Sequence, residues 1–217
     1  MEAAARMKRD NETCLDDELC RAAACGDFGD VAALLERGAA AGAATEKNGW
    51  TALHYACTCP DDGGAATIKL LAARGARIDV RCANGSTPCV RAAFKGHVAC
   101  LAALLSLGAD SRAVNAAGST PLHAAASRGR AACCALLLKH RADPHARNCD
   151  GETPADRCRA ARRGDFAATL AALGEQGYPP AAPEEEAGAP AAFSASADVR
   201  WVKGRPVAPA PEEGAPG

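Results

Sequence analysis

Thr87, Thr120 and Thr153 each precede a proline and follow one another at intervals of 33 residues. That recurrence constrains the chain more than any other feature. A motif returning at a fixed interval of this length implies stacked copies of one supersecondary unit, each too small to bury its apolar side alone. The stretch from Asn115 to Asp150 holds the most complete copy. Thr120 is placed to cap a helix with its hydroxyl, and Pro121 suits the first helical position, where no amide hydrogen bond is lost. Ala124, Ala125 and Ala126 form a small face that lets a neighbour approach closely. Gly129 breaks this helix, and Leu136, Leu137 and Leu138 supply the bulky side of a second. The next copy opens with Asp150-Gly151-Glu152-Thr153-Pro154.

A looser copy begins at Thr51-Ala52-Leu53-His54, 36 residues before Thr87. The 33-residue period, the turn with two helices, and the G-x-T-P-L-H pattern of Gly118 to His123 together resemble the ankyrin repeat. The resemblance implies an all-α solenoid of about five helix-turn-helix units with β-turn fingers over residues 15–174. The units fall at about 15–45, 46–81, 82–114, 115–147 and 148–174. Residues 1–14, charged and aperiodic, read as a flexible N-terminal extension. Residues 175–217, rich in Pro, Ala and Glu, read as a disordered tail.

Composition agrees with thin layers. The chain is 48% hydrophobic but only 4% aromatic, and much of the remainder is alanine, which buries little area. A single deep core is therefore not expected, whereas layers that touch only their neighbours are. The net charge is −1, which points to neither nucleic acid nor membrane. From Glu175 onward seven acids face three bases, a net −4, which leaves +3 for residues 1–174. The chain opens Met-Glu-Ala-Ala-Ala-Arg without an apolar leader, and no segment approaches bilayer-spanning length. With 12 cysteines, the expectation is a reducing compartment, cytosol or nucleus, and free thiols.

The units differ in ways that predict local structure. In the first, Asp17 is read as an N-cap, Leu19, Ala22 and Ala23 follow at helical spacing, and Gly26 ends the helix. Phe28, Val31, Leu34 and Leu35 build the second helix up to Gly38. The second unit carries three extra residues, placed at Thr58 to Gly64 as a lengthened turn, because Pro60 and the Gly63-Gly64 pair mark a loop. The third has Cys89-Val90 where Leu-His is expected. In the fourth, Arg141 stands where Gly75 and Gly108 end helices elsewhere; a left-handed backbone at a non-glycine costs about 1 kcal/mol, so the joint is read as either slightly strained or locally re-formed. The fifth replaces Leu-His with Ala155-Asp156. Its arginines 157, 159, 162 and 163 read as a solvated end face, and Phe166, Leu170 and Leu173 give its second helix a modest apolar side.

No reactive constellation stands out. Gly63 to Lys69 lacks the Gly-Lys-Ser/Thr ending of a phosphate loop, and no local signature of a Ser/His/Asp set is present. His54 and His123 each follow a capping threonine by three residues, which suits a ring bonding back to the cap or across to the adjacent turn. Cys133 and Cys134 with His140 and His145 lack the two closely spaced pairs of a zinc site, and Cys133 repeats the position of Cys100, a core position for a small apolar residue. Cys57 and Cys59, beside the inserted segment, are the pair most open to oxidation. Neither a cofactor nor a metal is expected.

The resemblance implies instead a non-enzymatic module that binds another protein on a concave face of turn tips and first-helix ends. Binding side chains in such domains come from the variable positions around the glycine turn and after the small-residue run. Here these are Lys47, Asn48, Trp50, Asn84, Ser86, Phe94, Lys95, Ser119, Ser127 and Arg128, with Arg81, Arg147 and Glu152 on the turn tips. Trp50 and Phe94 are two of only six Trp or Phe residues; each reads either as a binding anchor or as a packing residue of its own repeat. The expected partner has an acidic or mixed surface, and the chain is expected to be a monomer. In the tail, Arg200-Trp201-Val202-Lys203 reads either as a docking motif or as a strand returning to the last repeat. Two further readings are a substrate-recruiting adaptor of a ubiquitin ligase or similar complex, and a cysteine-based metal or redox protein. The first is weakened because residues 175–217 lack the apolar helical pattern that such adaptors carry after their repeats.

Overall fold

The computed structural model describes residues 15–59, 62–161, 164–174, 200–202 and 205–207. The expectations for the N-terminal extension, for Arg162, Arg163 and Lys203, and for most of the tail lie outside these residues. Ten helices are described: α1 (residues 15–25), α2 (Phe28–Glu36), α3 (Ala52–Ala56), α4 (Asp62–Ala73), α5 (Pro88–Lys95), α6 (Val98–Ser106), α7 (Pro121–Ala126), α8 (Ala131–Lys139), α9 (Pro154–Ala161) and α10 (Phe166–Gly174). From α3 onward they pair as α3 with α4, α5 with α6, α7 with α8 and α9 with α10. The pairs stack in register. First helices form one row, α3, α5, α7, α9, and second helices form another, α2, α4, α6, α8, α10.

Each layer is held by the residues whose spacing marked it. Thr87 and Thr120 accept the amides of Val90 and His123, and Pro88 and Pro121 occupy the first helical turn. Behind them, Ala92, Ala93, Ala125 and Ala126 are buried, so adjacent first helices approach on methyl groups. The second row supplies the bulk through Ile68, Leu71, Leu101, Leu104 and Leu137, all fully buried. Burying one such side chain contributes about 2 kcal/mol, so the stack rests on many modest increments distributed along its length.

The fingers are stitched backbone to backbone. The amides of Ala83, Ala116 and Cys149 donate to the carbonyls of Asn48, Asn84 and Ala117 on the preceding finger, at 2.9, 3.1 and 3.0 Å. Gly118 makes that approach possible: its φ is 69°, and a Cβ there would stand 2.9 Å from the Cys149 nitrogen. Of the two readings of Arg141, the backbone is left-handed, with φ 60°, and not re-formed.

Three expectations change. Helix α1 already includes residues 15 and 16, so Asp17 lies within the helix and does not cap it; the neighbouring Asp16 instead accepts the Ala40 amide at 2.8 Å. The three extra residues of the second unit do not lengthen a loop. They extend α4, which has 12 residues where α6 and α8 have 9. Gly63 and Gly64 sit in its first turn because the chain passes too close for side chains. A Cβ on Gly63 would lie 2.5 Å from the Gly26 carbonyl oxygen, and one on Gly64 would lie 2.7 Å from that of Ala56. Finally, Cys57 and Cys59 are buried, not exposed, and burial raises the Cys57 thiol pKa well above its ordinary value, which opposes thiolate formation.

In the tail, β1 (Arg200–Val202) pairs antiparallel with β2 (Arg205–Val207), placing Trp201 opposite Pro206. The strand at Trp201 therefore pairs within the tail itself. This hairpin belongs to a unit separate from the helical stack.

Candidate protein-binding face

A groove of about 240 Å³ crosses the first helices and fingers of units two to five. Its walls include Trp50, Asn84, Ser86, Phe94, Ser119 and Ser127 from the sequence-derived set, together with Val90, Arg91, Asn115 and Arg157, which that set omitted. Two arginine–aromatic pairs link successive repeats. The guanidinium of Arg91 lies 4.1 Å from the Trp50 ring centre, and that of Arg128 lies 4.1 Å from that of Phe94. Such contacts hold a cation flat on a ring and contribute about 1 kcal/mol at a partly exposed site. Trp50 also meets Tyr55 edge-on at 5.2 Å. The Trp50 and Phe94 rings are both half-buried and line the groove, so each packs within the repeats and also presents surface.

The remaining residues of that set are placed differently. Lys47 and Asn48 line a second, larger hollow with Asp16, Arg21 and Tyr55 at the first-unit end. Lys95 is exposed at the end of α5. Arg81 donates to the Val114 carbonyl of the next finger, and Arg147 donates to the Gly151 carbonyl at 2.9 Å, so both serve turn structure. Asn48 and Asn84 accept the amides of Trp50 and Ser86 within their own turns. The Glu152 carboxylate receives Asn148 at 3.1 Å and Arg157 at 3.2 Å, and these bonds, Asn148 first, hold its pKa below the usual carboxylate range.

His54 and His123 bridge adjacent repeats. The Thr51 amide donates to Nδ1 of His54 at 3.3 Å, which leaves Nε2 to donate to the Ser86 carbonyl at 3.1 Å. His123 repeats the arrangement with the Thr120 amide at 3.3 Å and the Glu152 carbonyl at 2.9 Å. Burial, the largest cause, lowers both imidazole pKa values from the ordinary 6.5, while the carbonyl bonds act in the opposite sense. A neutral ring with both nitrogens engaged is a structural tie, not a poised base. At the fifth unit Asp156 takes the histidine's place, accepting the Thr153 hydroxyl at 2.6 Å and the Thr153 amide at 3.0 Å. A carboxylate satisfies the cap and ends the series, because it has no second nitrogen to extend onward.

Cys133 and Cys134 are fully buried, and burial pushes their thiols up to about 11 and about 12. Among the described residues no three His, Cys, Asp or Glu side chains are placed to hold a metal ion, and no helix is long and apolar enough to cross a membrane.

The comparisons with known families agree with the register. The family described as ankyrin repeats in three copies matches residues 19–115, and the single ankyrin repeat matches residues 117–149. The chain belongs to the ankyrin-repeat family. A search of curated proteins finds no match. Ankyrin repeats are generally protein–protein interaction modules and typically non-catalytic.

One position of this ankyrin stack carried a signal that the glycine-turn rule overlooked. The residue four after each capping threonine is Tyr55, Arg91, Ala124 and Arg157 in successive repeats. Its chemistry changes from repeat to repeat while the cap does not. Three of the four line the groove, and the fourth touches Trp50.

Proposed function

We propose that this ankyrin-repeat chain is a non-catalytic recognition module that binds one partner protein on its concave face, the face of the fingers and first helices. The observation that carries the reading is the groove itself. It gathers two of the chain's scarce aromatic rings, two arginines and several small hydroxyl side chains, and among the described residues no aspartate or glutamate lines it. Aromatic and arginine side chains dominate binding hot spots because they bury much area for little lost entropy. With Lys95 and Arg128 beside it, the face suits an acidic or mixed partner surface. Free cysteines, nine of them buried, fit a reducing compartment, cytosol or nucleus. The protein acts as a monomer in this reading.

The test changes Trp50, Phe94, Lys95 and Arg128 together to Ala and repeats a pull-down from cell extract, with circular dichroism confirming that the helices persist. The reading predicts that partners captured by the wild type are lost. An unchanged set of captured proteins contradicts it.

A further inference from the structure

We propose that the groove takes a linear peptide segment of a partner protein, anchored by an aspartate or glutamate side chain on the guanidinium of Arg91. This rests on the reading of the face as a binding surface and adds what the face selects.

The first support is an uncompensated charge. Arg91 sits over the Trp50 ring at 4.1 Å and is half-buried, and its Nε is shielded from solvent without a hydrogen-bond partner among the described residues. Among the described residues no carboxylate lines the groove, and the other lining arginine, Arg157, is already bonded to Glu152. Among the described residues, Arg91 is thus a groove cation without a counter-ion. Burial, the main cause, lowers its pKa from the ordinary value, so an arriving carboxylate offsets a cost the folded chain already bears. A guanidinium fixed on a ring retains a planar fork, and a carboxylate matches that fork with two parallel bonds.

The second support is a gap in the histidine series. Val90 stands where His54 and His123 stand in the flanking repeats. The carbonyls of Ser86 and Glu152 each receive two donors, a finger amide and a histidine ring. The equivalent carbonyl of Ser119 receives the Asn115 amide alone among the described residues. Val90 and Ser119 both line the groove, so the proposal assigns the spare acceptor capacity of Ser119 to a peptide N–H, with Trp50, Val90 and Phe94 as apolar walls. A volume of about 240 Å³ admits a few side chains, the reach of a short segment. Phosphate recognition draws on clusters of arginines, and a single unpaired fork fits a monoanionic carboxylate better.

The test pans a random linear peptide library on the full chain and measures the affinity of the selected synthetic peptides by fluorescence anisotropy. The selected peptides are expected to share an Asp or Glu, and its change to Asn or Gln weakens binding about tenfold. Arg91→Gln loses the same factor and no longer distinguishes acid from amide. Arg91→Lys, which keeps the charge and loses the fork, falls between and decides the matter if the glutamine variant fails to fold. If these variants discriminate acid from amide as the wild type does, while Trp50→Ala and Phe94→Ala abolish binding, the Arg91 anchor is wrong and the binding face survives. If none of the four variants changes peptide affinity, the face reading fails as well. Selected peptides without an acid, peptides that bind only when phosphorylated, or a library that yields no binder overturn the peptide proposal.

Discussion

At the scale of single residues, glycines with the same backbone conformation have different reasons to be glycine. Gly108 and Gly118 both have positive φ, yet a Cβ on Gly108 meets nothing within 4 Å, whereas one on Gly118 meets the Cys149 nitrogen at 2.9 Å and its sulfur at 3.0 Å. Gly108→Ala should therefore cost about 1 kcal/mol, the left-handed backbone penalty. Gly118→Ala adds an overpacking cost and should lose about 3 kcal/mol. Urea denaturation of the two variants checks the ordering; equal losses would mean the fingers are not stitched as described. Arg141 is the complementary case. With φ 60° and an exposed side chain, Arg141→Gly should raise stability by up to ~1 kcal/mol in the same assay.

At the scale of elements, the histidine ties decide how firmly one repeat grips the next. His54 and His123 are neutral in the fold, with pKa values below the 6.5 of a free imidazole. The unfolded chain therefore binds more protons just below pH 6.5, and stability falls as pH falls toward the folded-state values. It is fully present above pH 6.5, and below the folded-state values these two groups cause no further loss. Denaturant midpoints between pH 7.5 and 5 should show this fall, and replacing both histidines with Gln should flatten it. The third repeat lacks the tie because of Val90. Val90→His is expected to bond the Ser119 carbonyl, add ~1 kcal/mol, and steepen the pH dependence. A destabilised variant with unchanged pH dependence would show that the gap is filled by packing instead. Periodicity revealed these capping positions because the same bonds recur at the same offset. It could not reveal the fate of the extra residues near Gly63. Paired glycines signal a loop locally, and only the approach of Gly26 and Ala56 shows that they permit helix contact.

At the scale of the whole molecule, the stack from α1 to α10 was legible in the sequence, because every layer repeats one pattern and needs no distant pairing to define it. The groove was legible only in part. Trp50 and Phe94 were found from their scarcity, but Arg91 was missed because its role depends on reaching from one repeat onto the tryptophan of the one before. Arg81, Arg147 and Glu152 sat at the expected tips but are engaged in turn structure, a use that residue type and position do not distinguish from binding. The buried cysteines offer a check on the whole stack. In a Cys14→Ser background, an aromatic disulfide reagent should label Cys25 and Cys149 rapidly and the nine buried thiols only on unfolding. Rapid labelling of Cys57 or Cys59 would mean the first two repeats do not pack as described. The most direct measurement for the central claim is amide hydrogen exchange of the full chain, alone and bound to a captured partner. The account predicts added protection over residues 46–56, 82–95 and 115–128, with α4, α6 and α8 unchanged. Protection confined to those second helices or to α1 and α2 would contradict it.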